Sequence, residues 1–140
     1  MKVLAVIPAR WASTRFPGKP LKEICGKAMI HWVWDQTIQA KSVTQTVIAT
    51  DDDRIAEYCR ANDLDVVMTA DSHPTGSDRL AEVAQKIEAD VYLNVQGDEP
   101  LIEPATIDAV TDCLVAAMER GIEVATAYIE GATDAQLDDP

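Results

Sequence analysis

The chain has 140 residues and a mass of 15.3 kDa, a length typical of one globular domain. Its 47% apolar and 26% charged residues match ordinary globular proteins, which excludes disorder over most of the chain. Twelve basic and twenty-four acidic residues give a net charge of −12, so we expect no binding to nucleic acid or to anionic membranes.

The elements predicted from apolar periodicity alternate between strand and helix along the chain. The predicted strands cover residues 2–7, 46–50, 65–69, 91–95 and 123–128. The predicted helices cover residues 29–40, 51–62, 77–88 and 105–120. Their boundaries are marked by turn and capping residues: Pro8 after the first strand, the acidic run 51–53 and Ser77 or Asp78 at two helix starts, and Gly121 after the last helix. Residues 9–28 are predicted to be a long functional loop with a turn at Gly26.

Nearly unbroken apolar strands predict a parallel sheet with helices on both faces, joined by right-handed crossovers. Residues 129–140 complete no element of this α/β pattern. We therefore expect an α/β portion over residues 1–128 and a tail over residues 129–140, with the chain cut before its next strand.

Three cysteines, Cys25, Cys59 and Cys113, lie far apart and form no CxxC pair. This spacing predicts reduced thiols in a cytoplasmic protein rather than a disulfide framework or a zinc site. The apolar run at the N-terminus is too short for a signal peptide, and no later run is long enough to span a bilayer. We therefore expect a cytoplasmic protein without a membrane segment.

The basic residues are concentrated near the start of the chain. Residues 1–50 have a net charge of +5 and residues 51–140 a net charge of −17, while residues 8–22 carry four basic residues and no acid. Guanidinium and ammonium groups among small residues suit phosphate oxygens, although the loop has neither a dinucleotide-binding nor a P-loop glycine pattern. From this loop alone, a small, highly charged anionic ligand and a solvated basic loop are equally good interpretations.

Two later segments also follow or border predicted strands, and parallel sheets bind ligands at the carboxyl ends of their strands. Asp98 follows Gly97 after the fourth predicted strand, where a carboxylate suits Mg²⁺ that bridges phosphates. An isolated Gly-Asp pair is more often only a turn. Residues 73–79 provide hydroxyls and an arginine, and taken alone they predict a loop with a capped helix. His31 is interpreted as a packing residue rather than as a base, and His73 carries no signal of a functional role.

Five separated motifs, taken together, resemble the 3-deoxy-manno-octulosonate cytidylyltransferase (CMP-Kdo synthetase) family. In chain order they are VIPAR-x-x-STR-x-PGKPL, GK-x-MI, VIATDD, PTGSDRL and NVQGDEPLI, and the resemblance runs from residue 3 to about residue 128. Trp11 and Phe16 are interpreted as ordinary variation. The resemblance implies a Rossmann-like parallel-sheet fold of the nucleotide-diphospho-sugar transferase type. It also implies a CTP-dependent nucleotidyltransferase that converts CTP and 3-deoxy-manno-octulosonate to CMP-Kdo and pyrophosphate for lipopolysaccharide biosynthesis.

The resemblance further implies which side chains bind CTP and the cofactor Mg²⁺. They are Arg10, Arg15 and Lys19 at the triphosphate, Gln96 at the ribose, Ser77 and Arg79 at the cytosine, and Asp98 at the metal. Arg10, Lys19 and Asp98 are the implied catalytic residues. CTP is therefore expected between residues 8–19 and residues 73–79.

Members of this family are longer than this chain. Their second half carries the remaining metal carboxylate, most contacts to the sugar acid and the dimer surface. The resemblance therefore implies that residues 1–140 are an N-terminal part, inactive alone, of an enzyme that is a homodimer at full length. Two alternatives remain: a sialic-acid-type cytidylyltransferase, which differs around QGDEP and SDRL, and a non-catalytic CTP-binding fragment.

Overall fold

Residues 1–12 and 16–127 of the protein are described by a computed structural model. The strands are β1 (Val3–Ala9), β2 (Glu23–Ile24), β3 (Lys27–Ala28), β4 (Gln45–Thr50), β5 (Val66–Met68) and β6 (Val91–Asn94). The helices are α1 (Met29–Thr37), α2 (Asp53–Ala61), α3 (Gly76–Lys86) and α4 (Pro104–Met118), with a short 3-10 helix over Lys19–Leu21. Tyr128, the last residue of a predicted strand, and the predicted tail 129–140 lie outside the described residues.

Four parallel strands form the central sheet in the order β5–β4–β1–β6, which confirms the predicted parallel α/β architecture. The chain builds outward from β1 to β4 and β5, then returns to the opposite side of β1 to add β6. The direction of building therefore reverses between β1 and β6. Ligands of open α/β sheets bind at this kind of switch point, beside the carboxyl ends of the strands.

The alternation of side chains along β1 explains why helices cover both faces of the sheet. Val3, Ala5 and Ile7 lie in one buried cluster, together with apolar residues of α1, α2 and α4. Leu4 and Val6 lie in the cluster on the other face, which also includes Val83 of α3 and is bordered by Leu80. A strand buried on both sides needs apolar residues at every position, which is why β1 has a nearly unbroken apolar sequence.

Strand β1 continues through Pro8, which we expected to end it. Val95 donates its N–H to the carbonyl of Val6, and β6 ends just before, at Asn94. Pro8 lies two residues beyond Val6, so its backbone N and carbonyl point to the same side as those of Val6. On that side β6 has already ended, and no β6 residue remains to pair with Pro8. The missing N–H of proline is tolerated at such an edge. The register with β4 continues to Ala9 opposite Thr50.

Two predictions are wrong, one on the residue that caps α3 and one on a fifth strand. Helix α3 is capped by Thr75, rather than by Ser77 or Asp78, because the Thr75 hydroxyl and the Asp78 carboxylate form a reciprocal capping box. Residues 123–127 form no strand, although their apolar composition predicted one. Val124 is 81% exposed, and β-propensity expresses packing against neighbouring strands; no strand of the described residues pairs with this segment.

The turn predicted at Gly26 is confirmed, and it belongs to a hairpin of β2 and β3 within the predicted long loop. Gly121, predicted as the C-cap of α4, lies beyond the helix, which ends at Met118 with Glu119 as its cap. The N–H groups of Arg120 and Gly121 bond to carbonyls three residues back rather than four, so the helix ends before the glycine, which has φ of +77°. Among the helices that the model describes, none has the length and apolar character needed to cross a membrane.

Candidate functional site

The carboxyl ends of β1 and β6 border a cleft of about 450 Å³, which we call the switch-point cleft. Arg10 follows β1, Lys19 begins the 3-10 helix, Gly76 begins α3, and Gln96 and Asp98 follow β6; all five line this cleft. Three segments far apart in the sequence therefore meet at the switch point.

Two glycines allow these segments to approach β1 closely. A Cβ atom at Gly97 would lie 2.6 Å from the carbonyl oxygen of Pro8 and 3.3 Å from Cδ1 of Ile30. A Cβ atom at Gly76 would lie 3.0 Å from Cγ of the same proline. The loop after β6 and the start of α3 thus pack against one residue at the end of β1, which sets the width of the cleft.

A charge pair between Lys19 and Asp98 spans the cleft. The Lys19 ammonium donates to a carboxylate oxygen of Asp98 at 2.9 Å, and the two side chains are 41% and 52% exposed. Exposed pairs of this kind contribute roughly 0.2–1 kcal/mol. The pair therefore separates at little cost, which leaves the ammonium available for an anion and the carboxylate available for a cation.

The remaining predicted site residues divide between the cleft, a second cavity and the interior. Gln96 also borders a cavity of about 520 Å³ between β6 and α4, the β6–α4 cavity, which Ser77 and Asn94 line as well. Arg10 is exposed at the cleft. Arg15 lies outside the described residues.

Arg79 is fully buried and lines neither cavity. Its Nη1 donates to the hydroxyl of Thr69 and, at 3.4 Å, to the carbonyl of Ala70. Its Nη2 lies 3.0 Å from Oδ1 of Asp51 as an ion pair, without the angle of a hydrogen bond, and its Nε has no hydrogen-bond acceptor in the described part of the chain. The guanidinium thus joins the ends of β4 and β5 from inside the protein.

A charged cluster on α3 holds the segment before that helix, and sequence reasoning missed it. Glu82 accepts hydrogen bonds from Lys86 at 2.6 Å and from the N–H of Ala70 at 2.8 Å, and lies 2.5 Å from Nε2 of His73. These contacts, with Lys86 first, lower the pKa of Glu82 to about 2. His73, for which the sequence predicted no role, is paired with this carboxylate.

The donor set at the cleft fits a metal only when phosphates accompany it. Within residues 1–12 and 16–127, no group of three His, Cys, Asp or Glu side chains converges on one point. Asp98 contributes a single hard oxygen ligand that faces the cleft. Since Mg²⁺ at nucleotide sites commonly takes one or two carboxylates together with substrate phosphates, this residue suits such an ion.

Comparison with known proteins identifies close relatives. A protein-family model for cytidylyltransferases matches residues 4–135. The 3-deoxy-manno-octulosonate cytidylyltransferase of Geobacter metallireducens is 58% identical over 116 residues, which are 83% of this chain and 46% of the relative. The enzyme of the same name from Pseudomonas syringae pv. syringae is 53% identical over 120 residues, 84% of this chain and 47% of the relative. The chain thus spans about half the length of the curated relatives it matches.

Solved structures share this architecture. A CMP:2-keto-3-deoxy-manno-octonic acid synthetase in complex with CTP matches with a TM-score of 0.81 and 42% identity, over 83% of this chain and 48% of that one. A cytidylyltransferase from Leptospira borgpetersenii matches with a TM-score of 0.73 and 26% identity, over 86% of this chain and 51% of that one. A nucleotidyl transferase from Methanothermobacter, at 21% identity and a TM-score of 0.68, shares the fold.

Proposed function

The chain belongs to the cytidylyltransferase family, and on that premise we propose that it is the CTP-binding part of a 3-deoxy-manno-octulosonate cytidylyltransferase. In the proposed reaction, the sugar acid attacks the α-phosphate of CTP, which gives the CMP-sugar and pyrophosphate. The names of the curated relatives support this choice of substrate over a sialic acid. The observation that carries the proposal is the switch-point cleft, where Arg10 and Lys19 face Asp98.

The triphosphate is proposed to bind in the switch-point cleft. Residues 8–22 carry a net charge of +4 on a protein with a net charge of −12, so the local charge selects an anion. Arg10 and Lys19 donate to phosphate oxygens, and Arg15, outside the described residues, is proposed to join them. These cations stabilise the charge that develops on pyrophosphate as it leaves, which is the main catalytic demand in such transfers.

The nucleoside is proposed to extend into the β6–α4 cavity. Gln96 borders both spaces, which supports a role for its amide at the ribose, between the phosphates and the base. Ser77 offers a hydroxyl to the cytosine from the start of α3. For Arg79 the proposed role in base recognition is indirect, since its buried guanidinium holds the backbone at Ala70.

Mg²⁺ is the proposed cofactor, and Asp98 would hold it in the switch-point cleft. When bound, the ion would supply positive charge to the phosphates. Residues 1–128 are proposed to be the nucleotide-binding portion, and residues 129–140 to lead to the part of the relatives that this chain does not span. We assign the sugar-acid site, a second metal ligand and a homodimer surface to that part. The complete enzyme is proposed to act in the cytoplasm, in lipopolysaccharide biosynthesis.

Binding of the four nucleoside triphosphates to the 140-residue chain, measured by calorimetry with Mg²⁺, tests this proposal. CTP should bind more tightly than UTP, ATP and GTP. Lys19→Ala and Arg10→Ala should each weaken CTP by about 1.5–3 kcal/mol, the scale of a charged hydrogen bond. Lys22→Ala, which removes the same charge three residues beyond Lys19 and outside the cleft, should leave CTP affinity unchanged. Equal affinities for all four nucleotides, or an unchanged affinity in both cleft variants, would refute the placement.

A further inference from the structure

We propose that Trp11 and Arg54 are positioning residues for the phosphate-binding cations: Arg54 holds the indole of Trp11 against Gly18, which fixes the spacing of Arg10 and Lys19. This inference rests on the proposed function, because it assigns a task to residues beside that site. Sequence reasoning treated Trp11 as ordinary variation, and Arg54 entered no motif.

The first contact is between Trp11 and Gly18. Gly18 donates its N–H to the carbonyl of Trp11 at 2.9 Å, so the backbone closes between these two positions. A Cβ atom at Gly18 would lie 2.9 Å from Cη2 of the indole, and the glycine has φ of +72°. The indole therefore packs on the bare Cα of Gly18, a contact that any other residue would disrupt.

The second contact joins the indole to α2. Cζ of Arg54 lies 3.5 Å from the ring centroid of Trp11, within the range of a cation–π interaction. Asp52 holds the guanidinium in a fork, with Nε 2.9 Å from Oδ1 and Nη2 2.6 Å from Oδ2. Asp52 also caps α2 by accepting the N–H of Arg54, and it is only 16% exposed. The plane of the guanidinium is thus set by a residue at the start of a helix.

The consequence for the site follows from chain connectivity. Arg10 immediately precedes Trp11, and Lys19 immediately follows Gly18. The hydrogen-bonded residues Trp11 and Gly18 therefore have one cation directly beside each of them. The contact with Arg54 ties this pair to α2, which follows the sheet strand β4. Cations held in place before the ligand arrives lose less conformational freedom on binding. Since Asp52 already neutralises the charge of Arg54, the role of Arg54 is to hold the indole of Trp11 rather than to bind phosphate.

Inorganic tripolyphosphate and CTP, titrated into the 140-residue chain below its unfolding temperature, are the probes for this proposal. Arg54→Met keeps the aliphatic stem but removes the guanidinium, and should weaken both ligands about two- to five-fold. Arg60→Met removes an equal charge from the exposed end of the same helix and should leave both affinities unchanged. Trp11→Phe keeps an aromatic face and should retain most of the affinity, whereas Trp11→Leu should behave like Arg54→Met.

Asp52→Asn distinguishes positioning from the overall charge. Asparagine caps helices as well as aspartate does, so α2 is retained while the fork is lost. Removing an acid near an anion site would by charge alone tighten tripolyphosphate, whereas loss of positioning weakens it, and we expect weakening. Tightening in Asp52→Asn, unchanged affinity in Arg54→Met, or equal losses in Arg54→Met and Arg60→Met would each overturn the inference. If the unaltered chain binds neither probe, the proposed function itself fails; if it binds both and Arg54→Met matches it, only the positioning role fails.

Discussion

Changing Asp98 to Asn should affect CTP binding in opposite directions with and without Mg²⁺. The carboxylate of Asp98 lines the switch-point cleft and pairs with Lys19 at 2.9 Å. Without metal, it repels phosphate and occupies the ammonium, so Asp98→Asn should bind CTP more tightly. With metal, the same carboxylate is the proposed ligand, so the variant should bind CTP more weakly than the unaltered chain.

The exposure of the pair sets the size of the two effects. Both side chains are close to half exposed, and such pairs are worth roughly 0.2–1 kcal/mol, so the gain without metal should be about five-fold at most. The same figure limits the loss of thermal stability to a few degrees. Loss of an ionic ligand should weaken CTP with metal by about 1.5–3 kcal/mol, or roughly 10- to 150-fold.

Calorimetric titration of CTP in excess EDTA and in excess Mg²⁺ measures both effects on the same protein. Glu99→Gln is the matched control, because it removes an equal charge from the exposed neighbouring residue, which lines the β6–α4 cavity rather than the switch-point cleft. It should change neither affinity by more than about two-fold. If Mg²⁺ strengthens CTP binding by the same factor in Asp98→Asn as in the unaltered chain, Asp98 is not the ligand. If the reversal occurs in Glu99→Gln instead, the metal belongs to Glu99.

Three further predictions concern stability and turnover. Arg79→Met should lower the free energy of unfolding in urea by about 3 kcal/mol, because it leaves the 21% exposed Asp51 without its ion pair, whereas Arg60→Met should have little effect. The pKa of Glu82 is lowered from 4.5 to about 2, chiefly by Lys86. The ionised carboxylate therefore stabilises the fold fully above pH 4.5, and this contribution is lost as the pH falls towards 2. The difference in free energy of unfolding between the unaltered chain and Glu82→Gln should vanish over that range. The 140-residue chain should release no pyrophosphate from CTP and 3-deoxy-manno-octulosonate under conditions in which the Geobacter metallireducens relative does; comparable rates would show that the additional length is dispensable.

The sheet and its helices were predictable because their signals are local. A strand buried on both faces has continuous apolar residues, as β1 does, and an acidic residue of the run 51–53, Asp52, caps the start of α2. The strand predicted over residues 123–128 shows the limit of such signals. Strand formation depends on a neighbouring strand, and composition alone does not reveal whether one is present.

The site was predictable as a set of segments but not as a set of contacts. Motifs brought Lys19 and Asp98 into one proposed site, yet nothing in a sequence shows that residues 79 positions apart form an ion pair. Arg79 lies at the start of α3 and resembles a surface residue in sequence. Its guanidinium pairs with Asp51, which follows β4, so only the folded arrangement shows that the side chain faces inward.

Gly97→Ala should separate displacement of the site from simple loss of stability. The new methyl group would lie 2.6 Å from the carbonyl oxygen of Pro8, and because that atom belongs to the backbone of β1, the loop after β6 must move instead. Overpacking of this kind costs about 1–3 kcal/mol. Gln96 and Asp98 move with the loop, because they are the direct neighbours of Gly97 in the chain. CTP affinity should therefore fall by more than the lost stability alone would cause.

Gly26→Ala is the control for that experiment. Gly26 has φ of +79° in the hairpin, so alanine there costs about 1–2 kcal/mol of backbone strain, while its methyl group would meet no atom within 4 Å. It should therefore lower the unfolding temperature without moving the switch-point cleft, and CTP should bind as before when measured below that temperature. If Gly97→Ala also binds CTP like the unaltered chain, the close approach to Pro8 does not set the position of Asp98. If both variants lose affinity equally, the loss reflects stability, and the contact between the loop after β6 and β1 has no separate part in forming the site.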